Sequence, residues 1–449
     1  MKPMTTIAAF AQALAEGRTT SEALVSDALT RIEAHRAAGG VAYISVDAHS
    51  AMQAARASDL ARASGYVPSA LAGLPVSIKD LFDVTGQVTA AGSRLLADAP
   101  PASRDAVVVE RLRAAGAILL GRTNMSEFAF SGLGFNPHYG TPLTPLADGR
   151  VAGGSSSGAA VSVALGMAVA GLGTDTGGSI RIPAAFCNLT GFKPSASRVP
   201  MAGTFPLAES LDSVCALTQS VADCILLDQI LSGEPLQTRA APLAGLRLAV
   251  TRDVVLDQLD ATVTAAFERS LDLLTQAGAT VSWFDFPELH ELRHINAAGG
   301  ITAAEAWYGH RQWLDGDRAD AYDPRVAQRI RRGAAISAAD YLDIRNERQR
   351  LIDVARERLG NADAWLLPSV AVVPPRLADL ADDAAFFATN ALVLRNTSVI
   401  NFLDGCALSL PCQRGDELPV GLSIAGLHGQ DARVLQVSRS IEALLRESS

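Results

Sequence analysis

The chain has 449 residues, 49% of them hydrophobic, enough to build one large core or two ordinary ones. Asp and Glu outnumber Lys and Arg by 47 to 38, for a net charge of −9, which argues against a general role on nucleic acid or an anionic membrane surface. The five cysteines (Cys187, Cys215, Cys224, Cys406 and Cys412) are odd in number and form no CxxC pair, so they read as reduced thiols of a cytoplasmic protein.

The N-terminus offers Lys2 and some apolar residues, broken by Gln12 and Glu16, and no signal peptide is expected. Residues 4–36 predict two helices. The first is apolar at Ile7, Phe10 and Leu14. The second begins near Thr19, with Glu22 placed as in a capping box, and continues through Leu24, Ala28 and Ile32. A third helix is expected over 49–63. Leu74–Lys79 is a short apolar run led by Pro75, a strand candidate. A helix over 105–115 precedes a strand over Ala117–Leu120 that ends at Gly121. Val151–Thr174 carries no charge and is long enough to span a bilayer, but it holds few large apolar residues. It reads better as a buried helix of small side chains, 158–168, and a buried strand, Ala168–Gly173. A helix follows over Ser220–Leu231.

A seam is expected at 232–244, after which the alternation resumes: strand Leu246–Val250, helix 260–276, strand Thr280–Phe284, a charged helical stretch over 301–360, strands at Leu366–Pro368 and Ala407–Leu410, and a terminal helix over 430–446. Strand–helix alternation predicts an α/β fold with a largely buried, mostly parallel sheet. One large domain with a peripheral C-terminal part is favoured over two independent ones.

The chemistry concentrates in residues 153–194. Gly153-Gly154-Ser155-Ser156-Ser157-Gly158 and Gly173-Thr174-Asp175-Thr176-Gly177-Gly178-Ser179 are two glycine-serine turns joined by one helix and one strand. Gly177-Gly178 before Ser179 lets successive N–H groups face one concavity, a nest suited to an oxyanion beside a serine nucleophile. That serine needs a base, and no histidine lies in the segment. Lys79, at the end of an apolar strand, is the best candidate, since burial disfavours its charged form. Ser155 can sit between them as a proton relay. The competing reading pairs Lys79 with Asp80 or Asp83. Asp175 and Arg181 read as a structural ion pair bracing the turn, and Ser156 and Ser157 as caps of the next helix. Pro183 fits the first turn of another.

The run GGSSSGAAVSVALGMAVAGLGTDTGGSIRIPAAFCNLTGFKPS resembles the signature of the amidase signature family. LAGLPVSIKDLFDVTG, RLRAAGAILLGRTNMSEFAF, SLDSVCALTQSVAD and LPVGLSIAG resemble further segments of it. The likeness implies a domain spanning 1–449, with N-terminal helices to 68, a catalytic core over 69–235, and a C-terminal part, 236–449, completing the sheet and the substrate pocket. It implies a mixed, mostly parallel sheet of about eleven strands covered by helices on both faces, Ser179 as nucleophile, Ser155 as bridging serine held by a cis peptide bond, and Lys79 as base. Thr176, Gly177, Gly178 and the Ser179 amide match the oxyanion hole. No metal or organic cofactor is implied. Homodimers are common in the family. The chain departs from the family pattern at Ser157, at Asn188, where glycine is usual, and at Thr141–Pro145.

Other motifs weigh less. His290-Glu291-Leu292-Arg293-His294 fits HExxH, yet Pro287 and Gly299-Gly300 leave room only for a short helix and no third ligand follows. Gly171-x-Gly173 is a poor dinucleotide fingerprint, and Cys187 reads as a packed thiol. The expected activity is hydrolysis of a small amide by a free-standing enzyme. The alternatives are the glutaminase-type subunit of a tRNA-dependent amidotransferase and a non-catalytic binding member. The amidotransferase class carries a fuller glycine-rich loop than residues 132–145 show. Met125, Phe128, Trp307 and Tyr308 are candidates for the substrate pocket.

Overall fold

Pro75–Lys79 and Ala170–Thr174 are buried at every position, as strands must be when helices cover both faces of their sheet. The computed structural model describes residues 6–236 and 238–447 and arranges them around one eleven-stranded sheet. Lys2 and residues 4–5 of the first predicted helix lie outside the described residues.

The chain opens with α1 (Ile7–Ala15), α2 (Ser21–Ala37), β1 (Tyr43–Val46) and α3 (Ala48–Ala63). Helix α2 is capped by Thr20 and not Thr19: the Thr20 hydroxyl accepts the Ala23 N–H, and the Asp59 carboxylate accepts from Ser21 and Glu22. Glu22 completes no capping box and pairs with Arg56 instead. The core follows as β2 (Pro75–Lys79), α4 (Val107–Ala114), β3 (Ile118–Thr123), α5 (Ser157–Ala164), β4 (Ala170–Thr174), α6 (Arg181–Phe186), β5 (Thr190–Lys193), β6 (Val214–Thr218) and α7 (Val221–Ser232). The C-terminal part contains β7 (Arg247–Val250), α8 (Ala261–Gln276), β8 (Thr280–Trp283), α9 (Leu292–Ile295), α10 (Gly300–Leu314), α11 (Pro324–Arg331) and α12 (Ala338–Leu359). It closes with β9 (Ala364–Pro368), α13 (Asp383–Phe402), β10 (Cys406–Pro411), β11 (Gly421–Gly426) and α14 (Asp431–Glu447).

The uncharged stretch 151–174 is no membrane span. It folds into the short buried helix α5 and strand β4, and no helix among the described residues is long and apolar enough to cross a bilayer. Small residues let α5 lie deep: a side chain at Gly158 would put its Cβ 2.2 Å from the Ala42 carbonyl oxygen.

The strands run in the order β1-β3-β2-β4-β6-β5-β10-β11-β9-β7-β8. The parallel pairing expected from strand–helix alternation is confined to two groups, β3-β2-β4 and β9-β7-β8. The middle of the sheet, from β4 to β9, is antiparallel, as is β1 on β3. Residues 412–420, for example, join β10 to β11 with a connection too short for a crossover helix, which forces the antiparallel hairpin. The 232–244 seam does not divide the sheet. β5 precedes it, β10 follows it, and the two pair directly, Ala407 opposite Lys193.

Lys79 ends β2 and Thr174 ends β4. These strands are parallel neighbours, with Ile78 opposite Leu172, so both side chains emerge at the carboxyl edge of the sheet, where α/β sheets receive their ligands.

Candidate active site

Lys79 is fully buried at the end of β2. Its Nζ lies 2.8 Å from Ser155 Oγ and 2.8 Å from Thr174 Oγ1. The competing ion pair is not formed: Asp80 holds Arg122, and Asp83 accepts from Thr89. Burial is the main cause that brings the Lys79 amine down to about 7, against partial opposition from Cys215, Asp212 and Asp175. Lys193 is equally buried, but its amine donates to the carbonyls of Pro194 and Gly405. Of the two, Lys79 is the one that faces hydroxyls able to pass a proton.

Ser155 follows a cis Gly154–Ser155 peptide, the geometry the family resemblance implies. Gly154 N–H donates to the Gly132 carbonyl, and the Ser155 carbonyl accepts from Ser126. The turn carrying Ser179 is tied to this one by the Ser156 N–H, 3.3 Å from the Ser179 carbonyl oxygen. Ser156 occupies the N-cap position of α5, but its hydroxyl turns to the Thr174 carbonyl and makes no capping hydrogen bond; Ser157 Oγ is buried with no partner. Asn188 sits at φ 55°, a left-handed conformation that asparagine tolerates better than most residues where the family usually has glycine.

The Ser179 turn is braced from within. Asp175 receives Arg181 in a bidentate pair, Nε at 3.0 Å and Nη2 at 2.9 Å, and both side chains are fully buried. Its carboxylate also accepts the amides of Gly178, Ile180 and Arg181 and the side chain of Asn401. Burial alone would raise the Asp175 carboxyl, but the Arg181 guanidinium, with Lys193 and Asn401, holds it down at about 2. Helix α13 grips the turn from outside: the hydroxyls of Thr397 and Ser398 donate to the Gly177 carbonyl at 2.6 and 3.2 Å. Thr176 donates to buried Asp212, which also accepts the Leu207 and Ala208 amides. Burial raises the Asp212 carboxyl to about 6.

This network corrects one expectation. The Gly178 N–H is spent on Asp175 at 2.8 Å, so it is not free for an oxyanion. Gly178 is needed for another reason: its φ is 132°, and a Cβ there would lie 2.1 Å from Thr397 Oγ1. The amides of Thr176, Gly177 and Ser179 have no hydrogen-bond partner among the described residues. These three residues line a cleft of about 1070 Å³ at the mouth of the sheet, walled by the 129–131 loop, segments 254–258 and 289–303, α11 and α13.

The HExxH segment forms no metal site. Pro287–Glu291 is a 3₁₀ turn and α9 only starts at Leu292, so the two histidines do not share one helix, and His290 faces Asp253 at 3.6 Å. No group of three metal-ligating side chains occurs among the described residues.

A sequence profile of the family described as Amidase matches residues 23–435. The chain belongs to the amidase family. It is 37% identical to 2-amino-5-chloromuconic acid deaminase of Comamonas testosteroni, over 90% of this chain and 88% of that one. It is 33% identical to the A subunit of the glutamyl-tRNA(Gln) amidotransferase of Cupriavidus metallidurans, over 98% and 96%. Among solved structures, a crystal structure of an amidase superposes with a TM-score of 0.89 at 34% identity, covering 98% of this chain and 99% of the other. The chain is an amide-hydrolysing enzyme.

None of the four pocket candidates lines the cleft of this amidase. Met125 is fully buried. Phe128 sits in an aromatic cluster, its ring 5.4, 4.5 and 5.3 Å from those of Phe205, His310 and Tyr322. Trp307 packs against the core, and Tyr308, 72% exposed, lies under the Arg311 guanidinium. α10 reaches the cleft with Thr302 and Ala303 of its first turn; Trp307, four residues on and on the same face as Ala303, lies about one turn further along the axis and packs against the core instead. The adjacent Ala129 and Phe130 take the place expected of Phe128. Sequence reasoning missed Thr174, Asp212, Thr397, Ser398 and Asn401. Thr174 and Asp212 lie inside segments that resemble the family, which is the signal that could have found them. The α13 residues carried no signal, being more than 200 positions from the turn they hold.

Proposed function

We propose that the enzyme hydrolyses a small carboxylic amide through a Ser179 acyl-enzyme, with Ser155 and Lys79 relaying the proton. One observation carries this: a fully buried lysine amine, drawn down to about 7, within 2.8 Å of the serine that follows the cis peptide. A neutral Lys79 takes the Ser155 proton as Ser155 takes that of Ser179, and Ser179 Oγ attacks the amide carbon. The oxyanion is received by the free amides of Thr176, Gly177 and Ser179. The proton returns along the relay to the departing nitrogen. Water then attacks the acyl-enzyme by the same path in reverse, releasing the carboxylate. The Asp175–Arg181 pair fixes the turn that aims these donors. All five cysteines are free and buried, which fits a reducing cytoplasm.

Ser179→Ala is expected to lose turnover and labelling by a fluorophosphonate probe together, with the labelled peptide of the parent enzyme mapping to Ser179. Labelling that persists in the variant refutes the assignment. A second reading, a glutaminase-type subunit, is favoured by the relative that bears the name of a glutamyl-tRNA(Gln) amidotransferase component. Ammonia release from glutamine only when a partner protein is added would support that reading over a free-standing enzyme.

A further inference from the structure

The cleft runs against the charge of the molecule. The chain carries a net charge of −9, yet Arg293, Arg329, Arg332 and Arg395 line the cleft with Ser179, faced there, among the described residues, by the single carboxylate of Asp257. Three of these arginines are held by neutral acceptors. Arg329 donates to the Phe130 carbonyl and stacks over its ring at 4.7 Å; Arg332 donates to the Ala297 carbonyl. Arg395 donates to the Asn396 side chain at 2.9 Å and the Val255 carbonyl at 3.4 Å. Carbonyl and amide oxygens position a guanidinium without neutralising it.

Arg395 is tied to the Ser179 turn through its own helix. It lies half-buried on α13, three residues before Ser398, whose hydroxyl holds the Gly177 carbonyl. Side chains three apart on a helix are neighbours. The same cleft has an apolar lining that includes Leu207, Leu211, Val254 and Leu289. The cleft therefore holds a nucleophile candidate, a hydrocarbon lining and an excess of cations together. A planar guanidinium is matched to a carboxylate, which it binds through two parallel hydrogen bonds. A neutral amide would leave four guanidinium groups in the cleft against the one carboxylate of Asp257, which acts on Arg395.

We propose that the cleft selects an amide whose acyl chain ends in a free carboxylate, that is, a monoamide of a dicarboxylic acid, and that Arg395 reads that carboxylate. This rests on the amidase reading above. The test compares adipamic acid with hexanamide, chains of equal length that differ in the terminal carboxylate. The kcat/KM ratio is expected to favour adipamic acid by about 10- to 100-fold, the scale of a hydrogen bond to a charged group. In Arg395→Gln that ratio should fall towards unity. Calorimetric binding of the same two amides to Ser179→Ala gives the comparison without turnover, and tighter adipamic acid supports the assignment. Hexanamide processed or bound as well as adipamic acid overturns it, and so does a ratio unchanged in Arg395→Gln. Failure of both amides to turn over, with no covalent labelling of Ser179, counts against the acyl-enzyme reading; the binding comparison still decides this one.

Discussion

A lysine that closes a buried strand meets two opposing demands. Its stem packs well between helices, but its ammonium loses hydration that two serine and threonine hydroxyls only partly replace. In Lys79 the second effect dominates, and the amine titrates near 7 instead of 10.5. The base form is the neutral one, so kcat/KM should rise with pH through about 7 and level off above it. A pH profile that falls across this range, or a Lys79→Met variant with the same profile, sinks the assignment. Stability carries the same signature. Between about 7 and 10.5 the unfolded chain binds a proton that the folded one does not, so this group makes stability increase with pH across that window. Urea midpoints measured at both ends should show the rise in the parent enzyme and lack that contribution in Lys79→Met. At this scale the sequence was legible: Lys79, Ser155 and Ser179 sit beside residues whose types require turns and a strand end. The pocket residues were not, because which side chain faces a cleft depends on helix phase and on neighbours from other elements, as Met125, Phe128, Trp307 and Tyr308 show.

Among the elements, α13 does most to set the geometry of the site. Its inner face carries Asn390, Asn396, Thr397 and Asn401, all buried. The polar face that grips Gly177 and Asp175 leaves no apolar stripe to read, and β-branched Thr397, Val399 and Ile400 add no helical signal. The missed strands β1, β5, β6 and β11 fail for a different reason. Each is four to six residues long and stands in the sheet through its partners more than through its own pattern. The brace between α6 and the Ser179 turn makes a specific prediction. Arg181→Met leaves Asp175 buried without its guanidinium, and removing one partner of such a pair costs about 3–5 kcal/mol. Chemical denaturation should register a loss of that order, and kcat should drop as the turn loosens; a midpoint within error of the parent would show that the pair braces nothing.

The whole molecule decides what meets what. One sheet spans the seam at 232–244, so strands from the last fifty residues pair directly with those of the catalytic core, and the cleft is walled by segments from both sides of it. The same assembly dismisses the HExxH motif, whose histidines fall on two separate helical turns. Incubation with a strong chelator is therefore expected to leave amide hydrolysis unaffected, whereas inactivation reversed by zinc would restore the metal reading.

The amino-acid sequence by itself determined the strand–helix alternation, the two glycine-serine turns and the lysine at a strand end, because each follows from local propensity and from residue types that permit few backbone alternatives. Only the tertiary structure decided that Lys79 meets Ser155 and Thr174 and not Asp80, that the Gly178 amide serves Asp175, and that arginines from distant segments gather in one cleft. Those outcomes depend on burial and on how separate segments pack against one another, which no local pattern records.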